Sequence, residues 1–239
     1  MLRLRQVALV VRDLRAAEDE IREAIDAPVC FRDPGVGEFG LHNALFTLGD
    51  QFLEVVSPVT EGTTAGRLLD RRGNGGYMAI FQVDRLGPVE ERLSDSGVRI
   101  VFDARGDGVR GLHVHPKDLG GAIVSIDACD EPSEWPWAGH TWRDDPSTVA
   151  SGIGGITVSV EDPSAACARW AAALGIDPDP DGRSLTTDDA IVRFRAATGD
   201  DRIGITAIEL LTSSGSDRPV PTSLLGVDVT TSAPSTDQR

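Results

Sequence analysis

The feature that most constrains this chain is that it repeats itself. VALVVRDL (7–14), AIFQVDRL (79–86) and ITVSVEDP (156–163) are three versions of one phrase. Each is a short apolar run suited to a strand, and each ends in an acidic turn. A helical pattern follows every time: RAAEDEIREAIDAP, GPVEERLSDSGV and PSAACARWAAALG. Alanine, leucine and glutamate favour helix there, and the next Gly or Pro stops it. Three more β-prone runs then close each unit. They are VCFRD, HNALFTL and FLEVVSPV in the first unit, RIVFD, GLHVH and AIVSIDA in the second, and GRSLTT, AIVRFRA and ITAIELLTSS in the third. The reading is an α+β chain of three βαβββ units, at about 1–59, 74–128 and 153–214. Such units bury their apolar faces against one another rather than alone.

The rest of the chain is organised around these units. Residues 1–128 hold the first two units, and 129–152 form a connecting stretch rich in Trp and Pro. Within it, WPWAGHTW (135–142) holds three of the four tryptophans, which either anchor the connection onto a domain or roof a ligand site. The tail 215–239, rich in Ser, Thr, Pro and Asp, is expected to be disordered. With 40% apolar residues the chain is globular, and no run approaches the ~20 apolar residues of a membrane helix. The start, MLRLRQVALVVRDL, is too soon interrupted for a signal peptide, so the expected location is the cytoplasm. A net charge of −15 argues against a nucleic-acid partner, because a basic face supplies most of that affinity. It leaves open either a generic acidic surface or attraction for a cationic ligand. Cys30, Cys129 and Cys167 are isolated thiols with no CxxC spacing, so neither disulfides nor a zinc knuckle are expected.

The tandem βαβββ pattern resembles the vicinal oxygen chelate superfamily, which includes glyoxalase I, methylmalonyl-CoA epimerase, extradiol dioxygenases and bleomycin-resistance proteins. The phrases that carry the likeness are LGDQFLEVVSPV, TTAGRLLDRRGNGGYMAIFQV and GLHVHPKDLGGAIVSID. They look most like the epimerase and glyoxalase-like branch. The resemblance implies two paired units whose sheets curl around a cleft, with one metal ligand from the first and one from the fourth strand of each. The usual set is His, Gln or Glu, His and Glu, around a divalent ion that stabilises an enolate.

In this chain those positions fall on Gln6, Glu54, Met78 and Ser125. Only Glu54, and weakly Gln6, suits a hard ion, and a thioether is a soft ligand. The expectation is therefore a cleft without the family's metal and without another cofactor. Three histidines, His42, His113 and His115, are the candidates to replace the missing ligands. With Gly49-Asp50 as a two-residue turn, Leu45 sits opposite Glu54, so His42 points away. His115 is expected to fix the HPKD turn, and His113 to line the cleft or pack.

The resemblance then implies these roles. Glu54 is the catalytic carboxylate, its pKa raised by apolar walls. Gln6 orients a substrate oxygen and Ser125 donates a hydrogen bond. Met78, His113 and Arg72 are assigned to substrate binding, Arg72 together with Arg67 and Arg71 as partners for CoA phosphates. The implied function is a small-molecule lyase or isomerase that moves a proton next to a carbonyl, on an acyl-CoA in one version. The alternative is a metal-free, antibiotic-sequestering protein of the bleomycin-resistance type. The third unit lacks a partner in the chain, so pairing across a two-fold axis, as a homodimer, is expected, the alternative being that it packs on the back of the first pair as a cover.

Overall fold

The computed structural model describes residues 1–198 and 203–234. In chain order the elements are β1 (Leu2–Val10), α1 (Leu14–Ile25), β2 (Val29–Phe31), β3 (Leu41–Leu48), β4 (Gln51–Pro58) and α2 (Thr64–Arg72). The second unit follows with β5 (Gly75–Val83), α3 (Gly87–Asp95), β6 (Ile100–Gly106), β7 (Val109–Val114), the short α4 (Pro116–Leu119) and β8 (Ile123–Cys129). Then come β9 (Ala150–Val160), α5 (Pro163–Leu174), β10 (Ser184–Thr186), β11 (Ile191–Ala196), β12 (Gly204–Thr212), β13 (Ser223–Leu224) and β14 (Val227–Ser232).

The acidic turn that closes the repeated phrase has a physical role. Asp13 and Asp162 are the N-caps of α1 and α5, and their carboxylates accept from the backbone N–H of Ala16 and Ala165. Each satisfies an otherwise orphaned donor at the helix start.

Units one and two join edge to edge into an eight-stranded sheet, ordered β2-β3-β4-β1-β5-β8-β7-β6. Within each unit the fourth strand runs parallel to the first, and β1 meets β5 antiparallel. The side chains of β1 alternate between two cores. Ala8 packs with Phe52, Met78, Ile80, Trp135 and Trp142 on the cleft side. Val7 and Leu9 face the opposite way, into a core shared with helices α1, α3 and α5 and with the second sheet. That core is anchored by Trp170, whose ring meets Phe81 and Phe194 edge-on at 6.1 and 5.4 Å.

The third repeat closes differently from the sequence reading. Strand β12 was expected as its fourth strand, which should run parallel to its first. Instead β12 pairs antiparallel with β9, and β11 takes the parallel place. The second sheet is ordered β10-β11-β9-β12-β14-β13. Its pairing senses repeat those of β3-β4-β1-β5-β8-β7 strand for strand. So β12 occupies the place of β5, and β14 and β13 those of β8 and β7, in a copy shortened at both edges.

The disordered tail expected over 215–239 is thus corrected for residues 223–232, which form β13 and β14. Leu224, Leu225, Val227 and Val229 are buried in the shared core. Residues 235–239 lie outside the described residues. The copy lies against the back of the first sheet. Gly76 on β5 is so close to Ile205 that a Cβ there would strike its carbonyl oxygen. Gln51 bridges the sheets, donating to Ile153 O and accepting from Ile153 N–H.

Candidate functional site

A cavity of about 630 Å³ opens on the cleft face of the first sheet. The turn Gly49-Asp50 fixes the register of its first wall, because Leu48 pairs with Gln51 and Leu45 with Glu54, as the sequence implied. Glu54 therefore projects into the cavity beside Gln6 and Ala8 from β1, while Met78 and Ile80 arrive from β5. The second unit supplies Phe102, Ala104, His113, Ile123 and Asp127.

Glu54 is 6% exposed and both its oxygens are held. Gln6 donates through Nε2 at 2.8 Å and Asn43 through Nδ2 at 2.7 Å. The orientation of both amides follows from their other partners. The indole N–H of Trp135 donates to Gln6 Oε1 at 2.8 Å, and the backbone N–H of Asp33 donates to Asn43 Oδ1 at 2.8 Å. An indole and a backbone amide can only donate, so each amide must turn its NH₂ toward Glu54. Burial pushes the Glu54 carboxyl up from its ordinary value. The hydrogen bonds from Asn43 and Gln6 pull it back, and the charge of Asp33 adds to the rise.

A second buried carboxyl faces the same cavity. Asp127 is 2% exposed; it accepts from Ser125 Oγ and, at 2.7 Å, from the indole N–H of Trp137. Burial pushes it up to about 7, against those two hydrogen bonds. Gly111 makes room for it, since a Cβ there would sit 2.6 Å from an Asp127 oxygen.

The remaining residues singled out in the sequence divide cleanly. Met78 and His113 line the cavity. Burial takes His113 down to about 4, so at neutral pH it is an uncharged ring stacked near Phe39 and Phe102. His115 caps α4, its Nδ1 accepting from Lys117 N–H, as expected. His42 is exposed on the far side of β3. Ser125 is buried and serves Asp127; it does not border the cavity. Arg72 is corrected as a cavity residue, because its guanidinium is drawn to the carbonyl of Ile203 in the second sheet.

Sequence reasoning missed Asp127, Asn43, Tyr77 and the tryptophan contacts. Period-two alternation was a usable signal for Asp127, two residues beyond Ser125, and for Asn43, two before Leu45. The tryptophans carried none that fixed their targets. The connecting stretch both anchors and roofs: Trp135 and Trp142 are buried against Phe52, and Trp137 borders the cavity. Arg5, fully buried, lies 5.5 to 5.8 Å from all three of the rings of Phe52, Trp135 and Trp142.

The donor set does not suit a hard divalent ion. Met78 offers sulfur, Ser125 is turned to Asp127, and the Gln6 oxygen is taken by Trp135, which leaves Glu54. Among the described residues no three His, Cys, Asp or Glu side chains are grouped for a metal.

Paired βαβββ units curled around a shared cleft define the vicinal oxygen chelate architecture, and this chain has it. The family model for a glyoxalase-like domain matches residues 7–174, and the chain belongs to that family. Among solved structures it is similar to a variant of Streptomyces coelicolor methylmalonyl-CoA epimerase in complex with 2-nitronate-propionyl-CoA. The identity is 21% over 56% of this chain and 98% of that one, with a TM-score of 0.50. The methylmalonyl-CoA epimerase of Mycobacterium tuberculosis is 25% identical over 53% of this chain and 87% of its own, with a TM-score of 0.48. No curated protein matches the chain. Among the described residues no helix is long and apolar enough to cross a membrane.

Proposed function

We propose that the cavity is the active site of an isomerase or lyase that moves a proton on a carbon next to a carbonyl, without a metal. The observation that carries this reading is the pair of buried carboxyls on one cavity. Burial pushes both up, and two donors pull each one back. Glu54 has both oxygens held by amide N–H groups whose orientation is locked, which aims it as the base. Asp127 is held near neutrality by burial and keeps a proton in a large share of molecules at pH 7. Two buried carboxyls of raised pKa on one cavity are the pattern of proton-transfer sites.

In the reaction Glu54 takes the proton from carbon, the C–H pair moves into the new C=C bond, and the carbonyl oxygen receives the Asp127 proton. An enol forms, and its collapse returns a proton to carbon or expels a neighbouring group. Asp127 thereby supplies the stabilisation of the developing oxyanion that an ion supplies elsewhere. Gln6 and Asn43 hold the base, and Met78, Ile80 and Phe102 exclude water.

The test is exchange of substrate C–H into deuterated water, read by NMR over a panel of ketones, amino ketones, β-keto acids and CoA thioesters including methylmalonyl-CoA. Glu54→Gln is expected to lower exchange by about 10²–10⁴-fold while the fold is kept. Undiminished exchange in that variant would reject Glu54 as the base. The sequestering alternative gains from the position of Arg72 away from the cavity, which leaves CoA phosphates without that anchor; ligand binding with no exchange on any panel member would favour it.

A further inference from the structure

The charge and shape of the cavity point to a substrate unlike an anionic thioester. Four carboxyl groups border it, those of Asp33, Glu38, Glu54 and Asp127, against one guanidinium, that of Arg105. Arg105 is largely exposed and already paired with Asp103 at 2.6 Å. His113 adds no charge at neutral pH. The walls are aromatic: Phe39 meets Phe102 edge-on at 4.9 Å across the rim, with Tyr77 and Trp137 deeper in. Asp33 and Glu54 are close enough that the charge of one raises the pKa of the other. Two carboxylates facing a common space beside aromatic rings gain when a cation enters, through charge neutralisation and through the ring quadrupoles. An anion entering the same space would be repelled by the ionised carboxylates and met by one engaged arginine.

We infer that the ligand of this cavity is a small molecule with an apolar body and one protonated amine, its charged end at the Asp33–Glu38 rim and its body among Phe39, Phe102, Tyr77 and Trp137. This rests on the cavity being the working site proposed above and adds the class of substrate. The 630 Å³ volume takes an aromatic or branched amine with space to spare, within the usual size of small-molecule sites. Asp33 and Glu38 bind, while Glu54 and Asp127 remain for the proton transfer.

Three probes of one shape but different charge test it: 2-phenylethylamine, phenylacetamide and phenylacetate, titrated calorimetrically against the full chain at pH 7.5. The amine is expected to bind about tenfold more tightly than the amide, with the acetate weakest. In the double variant Asp33→Asn, Glu38→Gln the amine should lose that advantage while the amide keeps its affinity. Asn preserves the cap that Asp33 gives to the turn at Pro34–Phe39, so the fold should survive. Equal or tighter binding of the amide or the acetate overturns the inference, as does an amine preference unchanged in the variant. Amine preference without deuterium exchange would remove the proposed reaction and leave this ligand class standing; exchange on carbonyl compounds without amine preference would do the reverse.

Discussion

At the scale of single residues, the site depends on what each polar group is forbidden to do. Trp135 can only donate, so Gln6 must present its oxygen to it and its N–H groups to Glu54. Trp135→Phe keeps the ring against Phe52 but frees the Gln6 amide to turn. Exchange is expected to slow by about tenfold, with affinity unchanged. Its acid limb should move to higher pH, because a carboxylate that loses a donor has a higher pKa and must be ionised to act. An unshifted profile would make Trp135 a packing residue alone.

Asp127 makes a separate prediction about stability. Its carboxyl stands at about 7 in the fold against 3.8 ordinarily. Below pH 3.8 it is protonated folded and unfolded, and its favourable contribution is complete. As pH rises toward 7 the unfolded chain releases the proton first, so stability falls through that window and then levels. Asp127→Asn should remove this slope. Unfolding free energies from denaturant titrations at pH 4 and pH 8 should differ less in the variant, by an amount on the order of a few kcal/mol. Equal slopes in both proteins would mean Asp127 is ionised in the fold.

At the scale of elements, the decisive pair is β13 and β14. They extend the second sheet beyond β12 and place Leu224, Leu225, Val227 and Val229 in the shared core. A chain ending at residue 212 leaves β12 with an open edge and strips four buried apolar side chains, each worth roughly 1.5–3 kcal/mol. The expected outcome is aggregation, or a melting temperature lower by well over ten degrees, read by calorimetry; a soluble truncated chain of unchanged melting temperature would contradict it. The segment was missed because the surrounding tail is rich in Ser, Thr, Pro and Asp, although Val227-Asp228-Val229-Thr230 alternates as a half-buried strand does. What the alternation does not say is which strand it pairs with, and that partner is β12.

For the whole molecule, the two sheets stand back to back, and this changes what the third repeat requires. The homodimer expectation rested on that repeat having no cover within the chain. Its apolar face is covered by the first sheet and its strand set is completed by the tail, so a solution mass near 25.4 kDa is expected from light scattering. Twice that mass would restore the pairing between chains. The donor set makes a further prediction: protein purified without chelators or a metal-affinity tag should carry no stoichiometric divalent ion, and one ion per chain would mean that Gln6 and Met78 rearrange to admit it.

The sequence by itself determined the repeat, the strand alternation and the turn at Gly49-Asp50, all of which act over a few residues. From these follow the strands of the first two units and the opposite directions of Glu54 and His42, while the pairing of the units around a cleft was legible only through the family resemblance. Only the tertiary structure decided which groups meet across long separations. Trp135 reaches Gln6 over 129 residues, and residues 223–232 return to pair with β12. The pKa of Asp127 depends on burial among groups that include Trp137 of the connecting stretch. Local propensity encodes a strand and its faces. Which strands close the second sheet, and how far a carboxyl is removed from water, depend on burial that exists only once the chain has packed.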